Sequence, residues 1–102
     1  MPKQALDSLT ESMFYVLMAL YRDEKCGTDI AAWIEEKTAD RCRLGPATLY
    51  TILAKFEKEA YIREIRVEGR RRTYAITDLG RQAYRDEIIR LTKCLKDGNA
   101  EL

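Results

Sequence analysis

The chain contains no histidine. That removes the commonest general base and the commonest zinc ligand, so a zinc site would need all three cysteines plus a carboxylate, an uncommon set. Cys26, Cys42 and Cys94 are isolated and odd in number, with no metal-ligand spacing. They read as reduced structural thiols, and nothing in the sequence raises a redox role for any of them. There is no glycine-rich phosphate loop and no convergent carboxylate pair, so neither an enzyme nor a cofactor is expected. No apolar run approaches the roughly 18 residues of a membrane span, and Met1-Pro2-Lys3-Gln4 lacks the apolar stretch of a signal peptide. A cytoplasmic protein with no membrane partner is expected.

At 102 residues there is room for one domain, and a chain of this size buries roughly 65% of its unfolded surface. A second apolar surface would therefore serve a partner subunit rather than a second core. Charged residues make up 34% and hydrophobic ones 46%, a balance that excludes a disordered chain. The net charge is +1, so it is the distribution of charge that informs. Residues 1–40 carry four basic and eight acidic side chains, net −4; residues 41–77 carry nine and four, net +5; residues 78–102 balance at five each. A basic middle third in a neutral whole suggests a localised face for a polyanion.

Ser8-Leu9-Thr10-Glu11 has capping-box spacing, with Thr10 as an alternative cap. Met13, Phe14, Val16, Leu17, Leu20 and Tyr21 then recur at helical intervals to about Arg22. Cys26-Gly27-Thr28 breaks this helix, and Thr28 or Gly27 can cap a second one running to Thr38, with Trp33 on its apolar face as a core residue. A polar connection, Ala39 to Leu44, leads to Gly45-Pro46, where proline suits the first helical position. The third helix, Pro46 to Ala60, buries Leu49, Ile52 or Leu53, and Phe56. From Tyr61 the period changes to two: Ile62, Ile65 and Val67 form a strand, Glu68-Gly69 a tight turn, and Thr73 to Ile76 the return. Thr77 caps a last helix to about Asp97, ended by Gly98-Asn99.

The fold expected is mainly α with a β-hairpin. Three helices and a two-stranded wing over residues 1–77 form a winged helix-turn-helix, and residues 78–102 supply a C-terminal dimerisation helix and tail. The third helix has to bury one face and offer hydrogen-bonding side chains to base edges on the other. Thr48 and Thr51 can donate, accept or touch a thymine methyl; Lys55 can reach phosphate or guanine, and Tyr50 a phosphate. Arg43 adds charge just ahead of this helix. Arg70, Arg71 and Arg72 crowd a narrow turn, where they repel one another until an anion neutralises them, and phosphate binding with counterion release does so. Tyr84, Ile88, Leu91 and Leu95 have a/d spacing on the last helix. Its first turns, around Leu79 and Ala83, can pack on the chain's own core, while the far half of a helix about 30 Å long overhangs and calls for a second copy.

These residues resemble the PadR family of bacterial transcriptional regulators. The likeness is carried by Leu9-Thr10-Glu11, by Gly45-Pro46-Ala47-Thr48-Leu49-Tyr50, by Glu57-Lys58-Glu59 and by the run from Gly69 to Gly80, so it spans about Leu9 to Leu95. It implies a homodimer of the short subfamily with a single C-terminal dimerisation helix, repressing nearby genes, with relief by small aromatic or amphipathic ligands in some members. Thr48, Tyr50 and Lys55 would face DNA, and Arg70 to Arg72 would form the wing. Two positions depart from the family pattern. Cys26-Gly27-Thr28 stands where His-Gly-Tyr is usual, and Ala60 replaces a glycine at the end of the third helix, where a left-handed cap would be strained.

The expectation is thus a homodimeric repressor on a pseudo-palindromic double-stranded operator, associated with the bacterial nucleoid when bound. A small-molecule effector would enter an apolar cavity between the terminal helices and Trp33. The rival is a winged-helix interaction module or antagonist that no longer binds DNA; an acidic or apolar third helix and wing would mark it, and the sequence has the opposite.

Overall fold

The structure, a computed structural model, describes residues 8–102; the Met1–Gln4 stretch considered above lies outside them. Helix α1 spans Glu11–Leu20, and its cap is Thr10, whose Oγ1 accepts from the Met13 N–H at 3.1 Å. Ser8 is not the cap, and the helix stops two residues short of Arg22. Its face of Met13, Val16, Leu17, Ala19 and Leu20 is buried.

Strand β1, Lys25–Cys26, was not expected from the sequence. Two residues are too few to carry an alternating pattern, and their strand character comes from pairing with Tyr74 and Thr73. Helix α2 follows directly, Gly27–Lys37, with Cys26 rather than Gly27 or Thr28 at the capping position and no side-chain cap bond. It ends with Ala39 at φ +51 and Asp40 at φ +65. The Asp40 amide donates to Glu35 and the Ala39 amide to Glu36, the paired bonds of a Schellman close without its usual glycine. The connection to α3 is less polar than its composition suggests, because Cys42 and Leu44 join the core. Thr38 stitches it down: its hydroxyl donates to Ile34 O at 2.8 Å and accepts from the Cys42 N–H at 3.0 Å.

Helix α3 spans Pro46–Lys58 and buries Leu49, both Ile52 and Leu53, and Phe56. It stops two residues before Ala60, which takes the left-handed conformation at φ +62 despite its Cβ. Tyr61 N–H donates to Phe56 O, and Ala60 N–H to Glu57 O, while the Phe56 and Tyr61 rings pack 5.8 Å apart. That hydrophobic contact, together with two satisfied carbonyls, offsets the strain.

Strands β2, Ile62–Glu68, and β3, Arg71–Ile76, form the wing. The turn is Gly69-Arg70, not Glu68-Gly69, since Glu68 still pairs with Arg71. Gly69 has φ +65 at the first central position, where a II′ turn takes glycine. A bulge between Glu64 and Arg66 interrupts the alternation, so Ile62 is buried, Ile65 half-buried and Val67 exposed. The sheet has three strands in the order β1-β3-β2, which puts β3 in the middle.

Helix α4 spans Asp78–Ala100 and is capped by Thr77, whose Oγ1 accepts from Gly80 N–H. A Cβ on Gly80 would sit 2.1 Å from Tyr61 O, so glycine is what lets the helix start against the hairpin. Gly98-Asn99 does not end it. Ala83 and Tyr84 pack on the core, whereas Leu79 is 54% exposed and does not. Among the described residues no helix is long and apolar enough to cross a membrane.

Candidate nucleic-acid interface

On α3 the buried residues occupy one flank, leaving Thr48, Tyr50, Thr51 and Lys55 exposed. At 100° per residue, Thr48 and Tyr50 lie about 160° apart around the axis, so they mark opposite edges of the exposed face. Thr48, Thr51 and Lys55 share one edge and the crest. Thr51 is committed in part, since its hydroxyl donates to Ala47 O at 2.9 Å; its lone pairs remain available to a donor.

Tyr50 turns the other way, toward the wing. Together with Cys26, Gly27 and Thr28 at the start of α2, and with Arg70, Arg71 and Arg72, it lines a cleft of about 350 Å³. A Cβ on Gly27 would meet Tyr50 Oη at 2.7 Å, so the missing side chain is the space in which the phenol lies. In the sequence Gly27 and Thr28 stood out as a helix break, as possible caps and as a departure from the family pattern, not as part of a DNA-facing cleft. No signal in the chain tied them to the arginines, because the pairing of β1 with β3 and the packing of α2 on β3 bring the two regions together only in the fold.

The arginines do not stand unneutralised. Arg72 Nη1 lies 3.0 Å from Glu64 Oε2 across the hairpin, and Arg71 Nη2 lies 3.5 Å from Asp29 Oδ2 on α2. Arg66 pairs with Glu24. Arg43 lies 3.5 Å from Asp40, beside α3 and away from the cleft lining. Arg70, at the tip, makes no hydrogen bond or ion pair among the described residues. The expected mutual repulsion of the triplet is thus relieved within the chain at two of its three members. Burial pushes the Cys26 thiol up, but the Thr28 hydroxyl, the Asp29 backbone amide and Arg71 more than offset it and hold the thiol below its ordinary value.

The four residues expected at a subunit interface divide. Tyr84 packs within the chain: its ring stacks on Phe14 at 5.2 Å and meets Tyr21 at 4.9 Å with the ring planes tilted by 42°, and burial raises its phenol pKa. Ile88, Leu91 and Leu95 are exposed, joined by Ile89, and every residue from 91 to 102 is exposed. Trp33 packs against the core as expected, half-buried, but with Lys25 and Lys37 ammonium groups 5.6 and 5.8 Å from its ring. The hollow beside it, about 480 Å³, is lined by Tyr21, Trp33 and Tyr84 and also by Arg22, Lys25 and Lys37, so it is not apolar. Among the described residues no cluster of acidic or sulfur side chains is arranged to hold a metal ion.

The sequence model of the transcriptional regulator PadR-like family matches residues 16–86. An uncharacterized protein of Lysinibacillus sphaericus is 30% identical over 79 residues, 74% of this chain and 72% of that protein. A transcriptional regulator from Clostridium thermocellum superposes with a TM-score of 0.79 at 29% identity, over 86% of this chain and 89% of its own. PadR of Bacillus subtilis, solved in complex with operator DNA, superposes with a TM-score of 0.69 at 24% identity, over 78% of this chain and 49% of its own.

Proposed function

The chain belongs to the PadR-like family of transcriptional regulators, which are not enzymes, and on that premise we propose that it is a sequence-specific, homodimeric DNA-binding repressor. The observation that carries the reading is the shared cleft: Tyr50 from α3 and Arg70, Arg71 and Arg72 from the wing converge on the first turn of α2. Helix α3 enters the major groove with Thr48, Thr51 and Lys55 toward base edges. Tyr50, Gly27 and Thr28 amides and the wing arginines then meet the phosphates beside it, with Arg43 adding charge at the approach to α3. The wing turn is only two residues long, which favours gripping phosphate over reaching into a minor groove. That PadR of Bacillus subtilis is solved in complex with operator DNA supports the DNA-binding part of this reading.

Dimerisation rests on α4. Its exposed Ile88, Leu91 and Leu95 form a stripe that a second copy would cover, and two-fold symmetry then calls for a pseudo-palindromic site with half-sites about one helical turn apart or a multiple of it. In this reading residues 1–77 hold DNA and residues 78–102 pair the subunits. The hollow at Trp33 supports relief by a small aromatic effector, the cations on its wall favouring an amphipathic one. Cytoplasmic residence on the nucleoid follows from the same function.

Selection of bound duplexes from a random pool tests the reading. A pseudo-palindromic motif is the expected result, and recovery of no motif would favour the interaction-module alternative. Replacing Arg71 and Arg72 together by Ala should weaken binding to every duplex and flatten the log–log salt slope by up to about 2, at about 0.9 per lost phosphate contact. A slope unchanged by the double substitution removes the wing from the interface.

A further inference from the structure

Arg71 stands between two hollows of opposite character. One is the cleft of Gly27, Thr28, Tyr50 and the arginines, whose lining contains no carboxylate. The other, about 170 Å³, is walled by Glu24, Asp29 and Glu68 together with Arg66 and Arg71. Arg66 is bonded to Glu24 and lies 4.0 Å from Glu68, so two of these three acids serve another arginine. Asp29 is the carboxylate left for Arg71, at 3.5 Å.

Asp29 is also the third residue of α2, in the first turn, where exposed amides and the helix dipole favour negative charge. A phosphate arriving at Gly27 and Thr28 therefore meets an anion already there, holding the arginine that the phosphate needs. Both side chains of the pair are more than half exposed. An exposed pair of this kind shifts an equilibrium by a factor of about two to five, enough to bias Arg71 and too little to lock it.

We propose that Asp29 is an internal competitor for DNA phosphate: it neutralises Arg71 in the free protein and so restrains binding to any polyanion, releasing the arginine when phosphate takes its place. The proposal rests on the reading of the cleft as the DNA-facing site. The sequence-independent part of DNA affinity is a phosphate term, and a carboxylate competing at one contact lowers that term directly. A complex in which the rest of α3 is well seated can meet this penalty; a poorly seated one is more easily lost.

The test titrates a non-specific duplex and, in parallel, heparin, a polyanion without bases. Asp29→Asn should tighten binding to both by about two- to fivefold, equivalent to about 0.4–1 kcal/mol, and should steepen the salt slope by up to about 0.9. Glu36→Gln, which makes the same charge change about two turns along α2 on an exposed residue, should do neither. In an Arg71→Gln background the gain from Asp29→Asn should vanish. A gain that survives there, or one matched by Glu36→Gln, overturns the proposal, because Asp29 would then act by simple repulsion. No gain on either polyanion, with the parent protein binding both, overturns it too and leaves the DNA-binding reading standing. Parent binding to heparin but not to duplex overturns the DNA-binding reading, and the Asp29 effect is then scored on heparin. Binding to neither overturns both.

Discussion

Ala60 holds φ +62 at the close of α3, a conformation that costs a non-glycine residue about 1–2 kcal/mol. The penalty is tolerated because the alternative would leave Phe56 and Glu57 carbonyls unpaired and separate the Phe56 and Tyr61 rings. Ala60→Gly should therefore raise stability by about 1 kcal/mol, less whatever the unfolded chain gains in freedom, measured as the urea unfolding midpoint at constant m; a loss of stability would mean that the Cβ itself is stabilising. From the sequence the strain at this position was legible, but not its resolution, since a propensity says that a conformation is unfavourable and not what surrounds it. The wing shows the same limit. The triplet Arg70 to Arg72 stood out by charge, whereas the partners Asp29 and Glu64 did not: Asp29 is 42 positions from Arg71, and only folding makes them neighbours.

Elements were legible in proportion to their length and periodicity. Helices α1, α2 and α3 each bury a face that repeats at three and four residues, and the hairpin announced itself by its change of period. Strand β1 was invisible, because two residues have no period and owe their form to β3. Helix α4 outran its expected stop because Gly98 keeps a negative φ; a glycine ends a helix only by turning left-handed, and among the described glycines Gly69 alone does so. The apolar stripe on α4 was foreseen at Ile88, Leu91 and Leu95. Tyr84 of the same run packs on Phe14 and Tyr21, a contact the sequence did not foretell, because periodicity identifies an apolar face without saying what will meet it. Leu91 is 36% exposed and Leu95 65%, so Leu91 lies nearer the body of the molecule and at the centre of the stripe. Leu91→Glu should convert a dimer to monomer in sedimentation while α4 stays helical by circular dichroism; a dimer that persists moves the interface off this stripe.

At the scale of the whole molecule, the start of the described chain is tied to the middle of α4 by Glu87. This carboxylate, 4% exposed, takes the Arg90 Nε–H at 2.9 Å and a second Arg90 bond, and accepts the backbone N–H of Leu9 at 3.4 Å. The Arg90 guanidinium, aided by the Leu9 amide and against the effect of burial, holds the carboxyl below its usual range. A depressed folded-state pKa gives stability that is present above the unfolded value, about 4.3, and lost as the pH falls through the folded value. Glu87→Gln should thus destabilise by about 1–2 kcal/mol near neutrality, moderated because Arg90 can turn to solvent. The gap between variant and parent in unfolding midpoint should close on acidification below about pH 4; a gap that stays constant to strongly acid pH would assign the loss to packing instead. With no histidine in the chain, the gap should stay constant between about pH 5 and 8.

Strand β3 has a neighbour on each side, and its first two residues are Arg71 and Arg72. Whatever pulls on those guanidiniums pulls on a beam backed by β2 along its length and clamped on its other side at Thr73 and Tyr74, where Lys25–Cys26 leads into the first turn of α2. The wing therefore acts as a stiff lever rather than a tether, and a load at its tip is delivered to the middle of the sheet and from there to the body of the protein.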